Sequence, residues 1–151
     1  MGVIGKLEVD VEIKSQGDLF HELFGQKPHH VANITPDKIH TCDVHEGHFG
    51  KPGSIICWDY TIDGKKCVAK EIVEEIDEEK QYVKFKVIEG HLLEEFKGFS
   101  VSIHVIPSGE TTIVKWTIEF ERFAVDGPYP TKIMDFCIGI TKDIEAHHLN
   151  E

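Results

Sequence analysis

A chain of 151 residues and 17.1 kDa can bury a substantial core as one domain, without disulfides or a structural metal. Sixteen Lys and Arg against 27 Asp and Glu leave a formal charge of -11, which repels a phosphate backbone and argues against nucleic acid as a partner. An apolar fraction of 40% marks a folding chain, and no apolar run approaches the roughly 18 residues of a membrane span. With acidic residues reached by Glu8 and no secretory pattern before them, the expectation is a cytoplasmic protein, one domain over 1–151, with no membrane insertion.

Val3, Gly5, Leu7, Val9, Val11 and Ile13 alternate with Lys6, Glu8, Asp10 and Glu12, the period of a strand with one wet face. Ser15, with Asp18 three residues on, predicts a capped helix carrying Leu19, Phe20, Leu23 and Phe24 up to Gly25. A second short turn, from His29 to Ile34, stops before Pro36.

From Lys38 to Phe123, strand follows strand, separated by turns at Gly47 to Gly53, Asp63-Gly64, Asp77 to Lys80, Gly90 and Ser108-Gly109, which suggests a meander of six. Asp63-Gly64 has the chemistry of a tight primed hairpin, whose two central residues need positive φ. Val83, Phe85 and Val87 share a face, as do Phe99, Val101, Ile103 and Val105, and likewise Val114, Trp116, Ile118 and Phe120. Their opposite faces carry Lys84, Lys86, Ser100, Ser102, His104, Lys115, Thr117, Glu119 and Glu121, so the sheet is curved, antiparallel, dry inside and wet outside.

Beyond the breakers of Asp126 to Pro130, a long helix runs to the end. Setting Ile133 at zero and advancing about 100° per residue places Phe136, Cys137, Ile140, Ile144 and His147 within about 60° of it, with His148 on the margin. A curved sheet closed by one helix is an α+β arrangement with more inner surface than the helix can cover. The residues facing that space are Val9, Val11, Ile56, Trp58, Tyr60, Val83, Phe85, Phe99, Val101, Ile103, Val114, Trp116, Ile118, Ile133, Phe136, Ile140 and Ile144. Periodicity alone allows either a packed core or a cavity lined by them.

Of the motifs that invite chemistry, several fail on spacing. Gly50-Lys51 is followed by Pro52 and a strand, not by Ser or Thr and a helix, so the glycine-rich stretch is no phosphate loop. His45, Glu46 and His48 alternate across a strand, so no metal site is expected. The four cysteines, Cys42, Cys57, Cys67 and Cys137, form no CxxC pair and read as buried free thiols. No inner face shows an acid and base pair, so no catalytic residue is assigned, and no cofactor is expected. His147 brings a polar group to the inward stripe near a helix C-terminus, which favours an imidazolium able to hold an anionic head group; the alternative is a solvated chain end.

The run His45-Glu46-Gly47-His48-Phe49-Gly50-Lys51-Pro52-Gly53-Ser54-Ile55, then Trp58-Asp59-Tyr60, Asp63-Gly64-Lys65 and Phe85-Lys86-Val87-Ile88-Glu89-Gly90, resembles the plant major latex proteins, within the superfamily of the birch pollen allergen and class-10 pathogenesis-related proteins. Ile34 to Ile39 and Leu92 to Phe96 extend the resemblance over the whole chain. It implies the helix-grip fold: seven strands, two short helices in a V and a long C-terminal helix over a large cavity. It also implies a non-enzymatic carrier or store of apolar and amphiphilic molecules, linked to defence and stress. The partner would be a lipid such as a lysophospholipid or fatty acid, a sterol, or a plant hormone such as a cytokinin. Ligand contacts are then expected from Ile56, Trp58, Tyr60, Val83, Phe85, Phe99, Val101, Trp116, Ile118, Ile133, Phe136, Ile140 and Ile144, with His147 or His148 at the head group. Two alternatives stay open. One is a pocket enzyme, either condensing or a ribonuclease, although Ile56 stands where the ribonuclease proposal needs lysine; the other is a ligand-dependent signalling module.

Overall fold

The computed structural model describes residues 2–150. Strand β1 (Val3–Ile13) leads to helix α1 (Gly17–Gly25), a 3-10 turn (Pro28–His30) and helix α2 (Val31–Ile34). Strands β2 (Ile39–Glu46), β3 (Ile55–Ile62), β4 (Lys65–Asp77) and β5 (Tyr82–Gly90) follow, then one turn of helix α3 (Leu92–Glu95). Strands β6 (Phe96–Ser108) and β7 (Thr111–Arg122) precede the long helix α4 (Thr131–Leu149). All seven strands form one antiparallel sheet in the order β1-β7-β6-β5-β4-β3-β2, so β1 returns to pair with β7 and the two short helices bridge the open edges.

The sheet curls because its ladders are interrupted. Register shifts leave His40 and His45 in β2, Glu74 in β4, Ile88 in β5 and Lys97 in β6 without a paired partner, and each such bulge bends its strand and increases its twist. Phe99, Val101, Ile103 and Val105 of β6 and Val114, Trp116, Ile118 and Phe120 of β7 are all buried on the concave face, as the alternation predicts. Ser102 is the exception on the outer face: it is buried where it sits in register between Lys84 and Thr117.

Ser15 does not cap α1. The cap position is Gln16, and the Ser15 hydroxyl is buried without a hydrogen-bond partner. Leu19 also differs from expectation, being exposed on a helix that buries Phe20, Leu23 and Phe24.

Helix α4 is fastened at two places. Lys38 Nζ and Thr35 Oγ1 both donate to Asp143 Oδ2 at 2.8 Å, tying the α2–β2 junction to the helix. Deeper, Trp116 Nε1 donates to Thr141 Oγ1 at 2.8 Å, and that hydroxyl donates to the Cys137 carbonyl at 2.8 Å. A polar residue thereby becomes part of the buried face. Met134, Cys137, Ile140, Thr141 and Ile144 are buried, which turns the inward stripe about 45° from one centred on Ile133. That rotation brings His148 to a half-buried position and leaves His147 exposed, a correction to the reading that placed His147 inside.

The β3–β4 hairpin turns on Asp63 (φ 51°) and Gly64 (φ 76°), as its sequence requires. Gly90 has φ 125°, and a Cβ there would run into the Val68 carbonyl oxygen, whereas a Cβ at Gly64 meets nothing. Gly64→Ala is therefore expected to cost about 1 kcal/mol, from backbone strain alone, and Gly90→Ala clearly more. Urea unfolding of both variants checks the order.

Candidate functional site

Between the concave face and α4 lies a cavity of about 100 Å³, lined by Phe24, Val31, Ile39, Trp58, Tyr60, Ala69, Glu71, Phe85, Leu92, Phe99, Val101, Ile103, Trp116, Ile133, Phe136, Cys137 and Ile140. A space of this kind needs only about 10–15 Å³ to hold one water, so there is room for a ring-sized molecule. It is smaller than the large cavity implied by the resemblance, because aromatic rings occupy the concave face. Phe136 packs on Tyr60 at 5.6 Å between centroids, and Phe24 meets Trp116 edge-on at 5.6 Å.

The structure brings Trp58, Tyr60, Phe85, Phe99, Val101, Trp116, Ile133, Phe136 and Ile140 together around this space. Ile56, Val83, Ile118 and Ile144 are buried but belong to the packed core instead. Val9, Val11 and Val114 likewise pack in the core away from the cavity. His147 lies outside, in a surface groove with Lys27, His30, Asn33 and His148, floored by Leu19, Leu23 and Ile34. The groove and the cavity sit on two sides of the same short helices: Leu23 and Ile34 face one, Phe24 and Val31 the other.

Tyr60, Leu92 and Ile133 line both the cavity and an outer cleft of about 450 Å³ between the β3–β4 hairpin, α3 and the start of α4. The cleft carries charged groups on otherwise mostly apolar walls: Asp63, Lys65, His91, Glu94, Glu95 and Lys132 line it. Tyr60, Leu92 and Ile133 are thus shared between the apolar interior and that cleft.

Glu71 is the residue that sequence reasoning missed. Cys67, Ala69, Glu71 and Val73 alternate on the buried face of β4, and extending the alternation two residues past Ala69 would have placed a carboxyl group inside. Trp58 Nε1, on the neighbouring strand, donates to Glu71 Oε1 at 2.7 Å. Burial pushes the carboxyl pKa up to about 7, opposed by that indole hydrogen bond. Burial also raises the Tyr60 hydroxyl and the Cys42 thiol, and takes Cys137 up to about 12, so these groups stay neutral near pH 7. Three of the four free cysteines are buried, with Cys57 intermediate, which fits the thiol reading. Among the described residues, no group of His, Cys, Asp and Glu is arranged to hold a metal, and no helix is long and apolar enough to cross a membrane.

A curled antiparallel sheet gripping one long helix over an apolar cavity defines the helix-grip class. The chain belongs to the pathogenesis-related protein Bet v 1 family, whose model matches residues 2–151. It is 44% identical to MLP-like protein 43 of Arabidopsis thaliana, over 99% of this chain and 96% of that protein. The crystal structure of ginseng major latex-like protein 151 from Panax ginseng is similar at 53% identity and a TM-score of 0.95, covering 98% of this chain and 99% of that one. Norcoclaurine synthase from Thalictrum flavum shares the fold, with a TM-score of 0.73 over 97% of this chain and 89% of that one, at 18% identity.

Because Glu71 binds its proton more tightly when folded (about 7) than when unfolded (near 4.5), the folded state holds more protons between those values. Stability should therefore fall as pH rises from about 5 to about 7.5, by up to about 3 kcal/mol from this group. Glu71→Gln keeps an acceptor for Trp58 and is expected to flatten that slope; chemical unfolding at a series of pH values measures it.

Proposed function

We propose that this protein binds an apolar or amphiphilic small molecule in the cavity under α4, as a carrier or store and without a covalent step. The observation that carries this reading is the cavity itself: an interior space bounded by aromatic and aliphatic side chains, in a chain whose surface is strongly acidic. Membership of a family that includes the MLP-like and major latex-like proteins supports it. Affinity comes from apolar area removed from water, at roughly 25 cal/mol per Å², which rewards many shapes and names none.

The interior supports binding over turnover. Glu71 is the one carboxylate on the cavity wall, and the other titratable groups there, Tyr60 and Cys137, are held neutral by burial, so a paired acid and base is not at hand. A ligand longer than one ring would part Tyr60, Leu92 and Ile133 and extend into the outer cleft. An anionic head belongs outside the cavity, and the surface groove lined by Glu22, Lys27, His30, His147 and His148, where Lys27 already pairs with Glu22 at 3.0 Å, offers it imidazole contacts.

A neutral solvatochromic dye titrated into the protein tests the reading. Fluorescence enhancement is expected in the wild type, with affinity reduced about tenfold in Val101→Trp, which fills the cavity at an overpacking cost of about 1–3 kcal/mol in stability. Absence of any enhancement sinks the cavity reading. In the same assay His147→Ala should weaken oleate about two- to fivefold, the worth of an exposed polar contact, and leave the neutral dye unchanged.

A further inference from the structure

A carboxyl group on the wall of an apolar cavity is costly to place there, and the cost falls only where hydrogen bonds meet it. Glu71 is 8% exposed and lines the cavity. Its Oε1 accepts from the Trp58 indole at 2.7 Å, and this is the one side-chain hydrogen bond Glu71 makes among the described residues. No cation is near: the cavity wall holds no Lys, Arg or His among the described residues, and Glu71 is in none of the ion pairs. No protein donor meets the second oxygen, Oε2, among the described residues, and the side chain lines a space with room for a small molecule.

We propose that Glu71 is the specificity-determining contact of the cavity, and that the molecule it selects is a neutral apolar compound carrying a hydroxyl group. This deepens the binding reading above and rests on it.

The choice of hydroxyl over other polar ends follows from counting donors and charges. A hydroxyl brings one O–H, which Oε2 satisfies, and it can reverse roles and accept when the carboxyl is protonated. An ammonium brings three N–H donors into a wall whose remaining polar groups are the Tyr60 hydroxyl and the Cys137 thiol, so donors would stay unpaired after a large desolvation cost. A carboxylate or phosphate brings a like charge against Glu71 whenever Glu71 is ionised. Besides Glu71, the titratable groups on the cavity wall are Tyr60 on β3 and Cys137 on α4, while Cys42 on β2 and Cys67 on β4 are buried outside that wall; burial raises each of these four, and so none supplies a compensating charge between pH 6 and 8. With the Glu71 carboxyl near 7, the exclusion of anions is strongest at pH 8 and relaxes toward pH 6.

The test uses four probes of one ring size, toluene, benzyl alcohol, benzylamine and benzoate, titrated calorimetrically into the full chain at pH 6 and pH 8. Benzyl alcohol is expected to bind about tenfold more tightly than toluene, the value of a hydrogen bond to a charged acceptor. Glu71→Leu should erase that difference while leaving toluene bound. Glu71→Gln retains a hydrogen-bonding side chain and should keep the preference for the alcohol. In the wild type benzoate should gain affinity several-fold from pH 8 to pH 6, and in Glu71→Gln it should not. Toluene binding with no gain for the alcohol, or an alcohol preference that survives in Glu71→Leu, overturns the role of Glu71. Benzylamine binding more tightly than benzyl alcohol overturns the assignment to a hydroxyl. If no probe binds and the neutral dye gives no signal either, the cavity reading itself fails.

Discussion

One helix closes a seven-stranded sheet, and the remaining features of the molecule answer the mismatch in area between them. Bulges in β2, β4, β5 and β6 curl the sheet so that its concave face wraps α4. Large side chains then fill most of what the helix leaves uncovered, with Phe85, Trp116 and Phe136 reaching inward from three elements. Packing to crystal-like density would require every ring to find a neighbour, and the space left between the rings and α4 is where this fails. The cavity is a consequence of architecture, so a ligand need only fit what the fold already leaves empty.

Holding α4 in place is then the central structural task, and the two indoles illustrate how polar groups serve it. Trp116 anchors on Thr141, whose hydroxyl in turn donates a hydrogen bond to the Cys137 backbone carbonyl. Trp58 points its N–H at Glu71 instead, so one indole secures the lid and the other holds a carboxyl group at the wall. The chain carries a charge of -11, and its surface carboxylates are solvated or paired, as in Lys38 with Asp143 and Lys84 with Glu119. Glu71 is buried and in none of the ion pairs among the described residues, and burial is what raises its pKa. A single buried acid among apolar walls gives the interior a chemical preference that burial area alone cannot supply.

Much of the fold was legible because its signals are local. Strict alternation in β1, β5, β6 and β7 shows which side chains face in, since successive residues of a strand must point to opposite faces. Asp63-Gly64 announces its hairpin because few other residues accept that backbone. Where the reading faltered, a tertiary partner had intervened. Ser15 has the chemistry of a cap but is buried one residue ahead of the cap position; α3 forms in a stretch too short to show a period. Glu71 was passed over because a charged residue in a strand is ordinarily solvated, and only the side of β4 it occupies says otherwise.

The inward face of α4 draws the line between the two kinds of information. By itself the sequence determined that a long amphipathic helix follows the sheet, that the sheet has a dry face, and that Trp58, Tyr60, Phe85, Phe99, Trp116 and Phe136 are among the residues on it, because those facts depend on periodicity and hydrophobicity alone. The tertiary structure decided how α4 is rotated, since a buried Thr141 counts as inward only once Trp116 supplies its hydrogen-bond partner. That rotation sent His147 to the surface groove and divided the apolar residues between packed core and cavity wall. It also left Glu71 facing an empty space, because whether a side chain meets another or meets a void depends on elements distant in sequence arriving at one place.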